Sequence, residues 1–235
     1  MKRISVVIPT YNEAKRLEGF LKQFEKQTLP REDFELIVVD GDSTDKTGEI
    51  ASSYADKVIL QESEGIGGAR NDGFRVAEAP IVATTDADVR LPPIWLEKIL
   101  ENFGDRDVVA VCGPDGPIER TKKSTFIYFL LRNIIYVGSK VGIYCTGGGN
   151  SAFRKDAFTR IGGYRSLPHS DDVEIALRMK GLGKIVYDRN LFVRISTRRM
   201  EKDGYLPILL TWLKGDLFLF LGKPIPEKSY AKKDY

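Results

Sequence analysis

Strand and helix patterns alternate along this sequence, which predicts an α/β protein with a mostly parallel central sheet and helices on both faces. Two further observations support that class. The strand segments are apolar at successive positions, not at every second one, as in sheets covered on both sides. Polar turns rich in Asp, Asn and Gly directly follow three strands, at the carboxyl ends where open α/β sheets bind ligands.

Ile4–Ile8 is a β-branched run closed by Pro9, hence a first buried strand. From Glu13, Leu17, Phe20, Leu21 and Phe24 recur at helical spacing. Phe34–Val39 is a second buried strand, ended by the acidic turn Asp40-Gly41-Asp42. Ser43 or Thr44 then offers a cap for a helix near Asp45–Tyr54. Lys57–Leu60 is a third strand, and Gly65–Ala77 opens on glycines and becomes helical. Ile81–Thr84 is a fourth strand, ending at Thr85-Asp86-Ala87-Asp88. Pro92 and Pro93 open a helix that runs to Phe103, and Val108–Cys112 is a fifth strand. Beyond residue 113 the pattern loosens. A long apolar helix comes first, followed by a glycine run within Cys145–Phe153 and an acidic helix from Ser170. Short strands near Ile185 and Phe192 precede a last apolar helix.

The 235 residues suit one α/β domain, and 42% apolar with 29% charged residues mark a globular protein. A net charge of +3 provides no field for nucleic acid. Cations still crowd Arg194, Arg198, Arg199 and Lys202, and the tail carries Lys228, Lys232 and Lys233. Such clusters form solvated faces or bind phosphates and anionic lipid heads. Cys112 and Cys145 lack the spacing of a disulfide framework or metal cluster and read as buried reduced thiols. Ile4–Ile8 is too short for a secretory leader, and no segment offers about 18 uninterrupted apolar residues for a spanning helix. The expectation is a cytoplasmic protein.

Chemistry concentrates in the turns. Asp86 and Asp88, one residue apart at a strand end, can aim at one hard divalent cation such as Mg²⁺ or Mn²⁺, which would neutralise a diphosphate. A solvated turn is the plain alternative. In Pro9-Thr10-Tyr11-Asn12-Glu13, Thr10 and the loop amides can bind phosphate or ribose, and Tyr11 offers a stacking face. Asp40 can accept from a base or ribose, whereas Asp42 and Asp45 fit turn and capping roles. Arg70, within Gly67-Gly68-Ala69-Arg70-Asn71, can bind phosphate in bidentate fashion or pair with an Asp. Neither a dinucleotide fingerprint nor a phosphate-binding loop ending in Gly-Lys-Ser/Thr is present.

In order and spacing, Ser5–Glu13, Val38–Asp45, Gly67–Asn71 and Asp86–Asp88 resemble the family 2 glycosyltransferases. The resemblance continues through Gly147–Arg154, Gly162-Gly163-Tyr164 and Asp171-Asp172, covering roughly residues 3 to 200. It implies a GT-A fold, which is Rossmann-like, an inverting mechanism and a nucleotide diphosphate sugar donor carrying UDP or GDP. By that resemblance Pro9, Thr10, Tyr11, Glu13, Asp40, Arg70, Asp86, Ala87 and Asp88 bind the donor, and Asp88 holds Mn²⁺ or Mg²⁺. Asp172 matches the catalytic base, and Arg198 and Arg199 fall where related enzymes reach the diphosphate. Gly148, Gly149, Asn150, His169 and Asp171 fall on the acceptor side. Two departures stand out: Asp40-Gly41-Asp42-Ser43 replaces the usual Asp-Asp-Gly-Ser, and Asp171 replaces a Glu.

From the residues alone, an inverting transfer needs one carboxylate to accept the acceptor hydroxyl's proton, and Asp172 can do this. Asp171, Asp172 and Glu174 also suit a helix N-terminus by dipole alone. The division that follows is residues 1–200 as the GT-A domain, with 1–113 the nucleotide half and 114–200 the acceptor half. Residues 201–235 form an acceptor-side extension, an apolar helix and basic tail. Phe126–Leu131 and Leu206–Leu221 are more apolar than a surface helix needs, which fits peripheral membrane contact, a core helix or a dimer interface. The acceptor expected is a saccharide or a lipid-linked one such as a polyprenyl phosphate. Nucleotidyl transfer and a nucleotide-sugar-binding module without turnover are the competing readings.

Overall fold

The computed structural model describes residues 1–225; Lys228, Lys232 and Lys233 of the basic tail lie outside the described residues. Its strands are β1 Ile4–Thr10, β2 Phe34–Asp40, β3 Lys57–Leu60, β4 Ile81–Thr84, β5 Val89–Arg90, β6 Val108–Cys112, β7 Asp115–Pro117, β8 Ser151–Arg154, β9 Lys184–Tyr187 and β10 Val193–Ile195. Its helices are α1 Ala14–Leu21, α2 Thr47–Ser52, α3 Gly65–Val76, α4 Trp95–Asn102, α5 Lys122–Lys140, α6 Lys155–Arg160, α7 Asp171–Met179, α8 Arg198–Asp203 and α9 Tyr205–Phe220.

The main sheet has the order β3-β2-β1-β4-β8-β6-β9. All of its pairings are parallel except the two made by β8. Every residue of β1 and β2 is buried, which explains the unbroken apolar runs. Alternate side chains feed opposite faces. Ile4, Val6 and Ile8 pack with Leu17, Phe20, Ala51, Trp95 and Ile99 from α1, α2 and α4. Val7, Ile37 and Val39 pack with Ala69, Phe74, Phe158, Ile175 and Met179 from α3, α6 and α7.

The structure departs from the sequence reading at three places. β8 is a strand inserted antiparallel between β4 and β6, where the sequence indicated only a glycine run. The segment near Phe192 is strand β10, in a separate sheet of order β5-β10-β7. Finally, neither Ser43 nor Thr44 caps α2, whose N-cap is Lys46 with no side-chain bond. Ser43 instead donates to Asp40 at 2.5 Å, and Asp45 accepts from the backbone N–H of Thr47 at 2.9 Å. A carboxylate within two residues of the helix out-competes the more distant hydroxyl.

α5 and α9 stand apart from both cores. They join through a small cluster of Tyr128, Met200, Tyr205 and Ile208.

Candidate active site

The turns after β1, β2 and β4 all leave the carboxyl edge of the sheet. The first two are laced together. Asn12, with φ of 51°, donates its N–H to Ser43 Oγ at 2.9 Å and accepts the Thr44 N–H at 2.9 Å. Glu13 N–H donates to Thr47 Oγ1 at 2.8 Å and Ala14 N–H to Asp45 at 3.1 Å. Asp40 is buried at the end of β2, held by Ser43. Pro9 and Thr10 are buried in β1, with Thr10 Oγ1 3.4 Å from Val39 O, while Tyr11 is half-buried at the mouth.

Two arginines organise the carboxylates. Arg70, 5% exposed, reaches Asp86 at 3.1 Å and Asp171 at 3.3 Å, tying the turn after β4 to the start of α7. Burial opposes its charge, but Asp86, Tyr164 and Asp171 hold the guanidinium's pKa above its ordinary value. Arg198 bonds Glu13 and lies 3.2 Å from Asp88. Burial and the adjacent Asp86 push the Asp88 carboxyl up to about 6, against the pull of Arg198. Ala87 is buried between the two acids.

The glycine run makes room for this arrangement. A Cβ on Gly148 would lie 2.0 Å from Arg70 Nη2, and one on Gly149 would lie 3.2 Å from Asp86 Oδ2. Asn150 is placed differently. Its side chain accepts from Trp95 Nε1 at 2.9 Å and donates to Leu191 O at 2.7 Å and Pro114 O at 3.3 Å, so it braces the scaffold instead of lining the cleft.

Asp171 and Asp172 open α7 behind Ser170, whose φ is 60°. Burial pushes both carboxyls up. For Asp171 the Arg70 guanidinium opposes this; for Asp172 the Cys145 thiol opposes it and Asp216 adds to it. Cys145 Sγ donates to Asp172 Oδ2 at 2.8 Å and is half-buried, where the sequence indicated a buried thiol. Cys112 is buried, and its thiol is pushed up to about 12. His169 is buried with Nδ1 3.2 Å from Ser170 Oγ, and burial lowers its pKa. It packs against α9 at Gly215, where a Cβ would lie 2.2 Å from His169 Cε1.

Three site residues escaped the sequence reading. Glu119 accepts from Thr197 N–H at 2.7 Å and Ser196 Oγ at 3.1 Å, fixing the segment that carries Arg198 and Arg199. The same segment is pinned by Ser196 N–H to Asp88 O at 3.2 Å. Asp115, on β7, is pushed up to about 6 by burial and feels Asp172. Asp216 reaches the site from α9, and burial raises its pKa. Only an acid between glycine and proline, as in Gly113-Pro114-Asp115-Gly116, marked any of them in the sequence.

Among the described residues, no cluster of three or more His, Cys, Asp or Glu forms a closed metal cage. Asp86 and Asp88 still fit a hard cation, which takes one or two carboxylates and completes its shell with water and phosphate oxygens.

The sheet order and the carboxylate cleft define a GT-A-type α/β transferase scaffold. The profile described as "Glycosyl transferase family 2" matches residues 5–162, and the chain belongs to that family. The O-antigen chain rhamnosyltransferase WbaN of Salmonella anatum is 32% identical over 227 residues, covering 87% of this chain and 70% of that protein. The validoxylamine A glucosyltransferase of Streptomyces hygroscopicus is 42% identical over 103 residues, covering 41% of this chain; the chain spans only 24% of its length. Among solved structures, the mannosyltransferase PcManGT of Pyrobaculum calidifontis, in complex with GDP-Man and Mn²⁺, superposes with a TM-score of 0.74. It is 23% identical, with 97% of this chain and 66% of that one covered. Staphylococcus aureus TarS with UDP-GlcNAc gives 0.64 at 22% identity, with 83% and 58% covered. At these identities the structural likeness speaks for the fold.

Proposed function

We propose that this chain transfers a sugar, with inversion, from a UDP- or GDP-linked donor to a saccharide or polyprenyl-phosphate acceptor in the cytoplasm. The observation that carries the reading is the pair of arginine bridges. Arg70 joins Asp86 to Asp171, and Arg198 joins Asp88 to Glu13, so four acids from three parts of the chain are drawn together. The two structural relatives are complexes with nucleotide sugars, GDP-Man and UDP-GlcNAc, which supports a donor of that class.

In this reading Tyr11 and Asp40, at the ends of β1 and β2, take the base and ribose. Mn²⁺ or Mg²⁺ on Asp88 and the donor's phosphates would neutralise the leaving diphosphate. Arg198 and Arg199 add positive charge to the same oxygens. Asp172 receives the proton of an attacking acceptor hydroxyl, and burial raises its basicity towards that task. A phosphate acceptor is already ionised, and Asp172 then only positions it. Asp171 holds Arg70 in place beside it.

The test is release of nucleoside diphosphate from a panel of UDP- and GDP-sugars with Mn²⁺, with EDTA, and in an Asp88→Ala variant. Release that falls roughly a thousandfold in both comparisons is expected. Release indifferent to EDTA and to Asp88→Ala overturns the reading, and pyrophosphate as product assigns nucleotidyl transfer instead.

A further inference from the structure

α5 and α9 turn apolar stripes away from the protein. α5 buries only Ser124 and Tyr128 along 19 residues, and α9 only Tyr205, Ile208 and Gly215 along 16. Among the described residues, thirteen of the eighteen exposed large apolar side chains lie on these helices or the turns that end them. On α9 the stripe is Leu206, Leu210, Leu213, Leu217 and Phe220, spaced by three and four. On α5 it is Phe126, Leu130, Ile134 and Val137. The helices pack on each other through Tyr128, Tyr205 and Ile208.

The charge on α5 has one sign, whereas α9 carries Lys214 and Asp216, the acid lying beside Ser170 and Asp172. α5 carries Lys122, Lys123, Arg132 and Lys140 and no acid. Several cations lie over aromatic rings, with Arg132 5.2 Å from Phe129 and Lys140 5.0 Å from Tyr136. Arg120, Lys122 and Arg132 surround Phe126 and Phe129 in an open groove of about 540 Å³, which pairs phosphate-binding charge with an apolar floor. Among the described residues no helix is long and apolar enough to cross a membrane. Apolar stripes rimmed by cations and aromatics suit the interface plane.

We infer that α5 and α9 form a docking face for the surface of an anionic bilayer. A second copy of the chain fits less well, because a two-fold contact sets the same patch against itself and would bring the α5 cations together. The anionic surface neutralises them. Docking there places the α7 end of the cleft close to lipid, since Gly215 of α9 abuts His169 and Ser170.

Co-sedimentation of the full chain with phosphatidylcholine vesicles, with and without phosphatidylglycerol, tests this. Binding to the phosphatidylglycerol vesicles that weakens with salt is expected. Leu210→Glu with Leu217→Glu should weaken binding about a hundredfold or more. Arg120→Gln with Lys122→Gln should weaken it about thirtyfold, on the anionic vesicles alone. Thermal melts by circular dichroism establish that both variants fold. A chain that stays in the supernatant overturns the proposal. So does a dimer in sedimentation equilibrium that Leu210→Glu with Leu217→Glu dissociates, because the stripes then belong to a second copy. Vesicle binding is scored without donor turnover, so failure of the proposed transfer leaves this result standing, and the reverse holds.

Discussion

The loops after β1 and β2 are tied to one another by hydrogen bonds that link Asn12, Glu13 and Ala14 with Ser43, Thr44, Asp45 and Thr47. α5 and α9 meet each other in a small cluster of buried side chains, with α5 resting on β7 and α9 on His169 and Ser170. Around the first region the sheet is buried on both faces; around the second, long apolar stripes face outward. The difference separates two tasks. A donor site gains from preorganisation, because donors and acceptors fixed in advance need no reordering when charge develops. A helix pair with an unburied apolar face has instead left part of its stabilisation to whatever covers it.

The largest effect should come from the start of α7. Asp172→Asn removes the proton acceptor while retaining shape, and transfer to a hydroxyl acceptor should fall by about 10²–10⁴. Donor binding, read as a nucleotide-induced rise in melting temperature, should persist because the β1 and β2 loops are untouched. If donor binding vanishes as well, the two regions are not separable. Gly148→Ala should come next. Its Cβ would lie 2.0 Å from Arg70 Nη2 and 2.4 Å from Cζ, so the guanidinium must leave Asp86, Asp171 or both. Arg70 is almost wholly buried, so breaking its pairs should cost about 3 kcal/mol of stability by denaturant titration and most of the activity. Unchanged stability would mean that the acids do not depend on Arg70.

The same contrast governs what the sequence made legible. β1, β2, β4 and β6 are runs of Val, Ile and Ala bounded by polar turns, a signal carried within a few residues. Asp86 and Asp88 were visible because both lie on one turn. β8 was not, because Ser-Ala-Phe-Arg is too short to show a period and pairs with strands far away in the chain. The bracing role of Asn150 depends on Trp95, 55 residues earlier. Glu119 meets Thr197 across 78 residues, and Cys145 meets Asp172 across 27. Local chemistry is written locally; positioning contacts are made by the fold, and one sequence does not record who meets whom.

Asp115 offers the finest probe of how closely the acceptor side is packed. It lies on β7, against which α5 rests, and burial, assisted by Asp172, pushes its carboxyl up to about 6. The folded chain thus holds a proton that the unfolded chain, with an ordinary Asp near pKa 3.9, releases first. For a group raised in this way, stability is fully present below the unfolded pKa and is lost as pH rises through the folded one. Between about pH 4 and pH 7 the wild type should therefore lose about 1–2 kcal/mol that Asp115→Asn, with nothing to ionise, does not lose. Chemical denaturation of both proteins at the two ends of that window measures the difference. Equal slopes would mean that water reaches Asp115 under α5, and that the acceptor side is looser than its neighbour across the cleft even before any partner covers it.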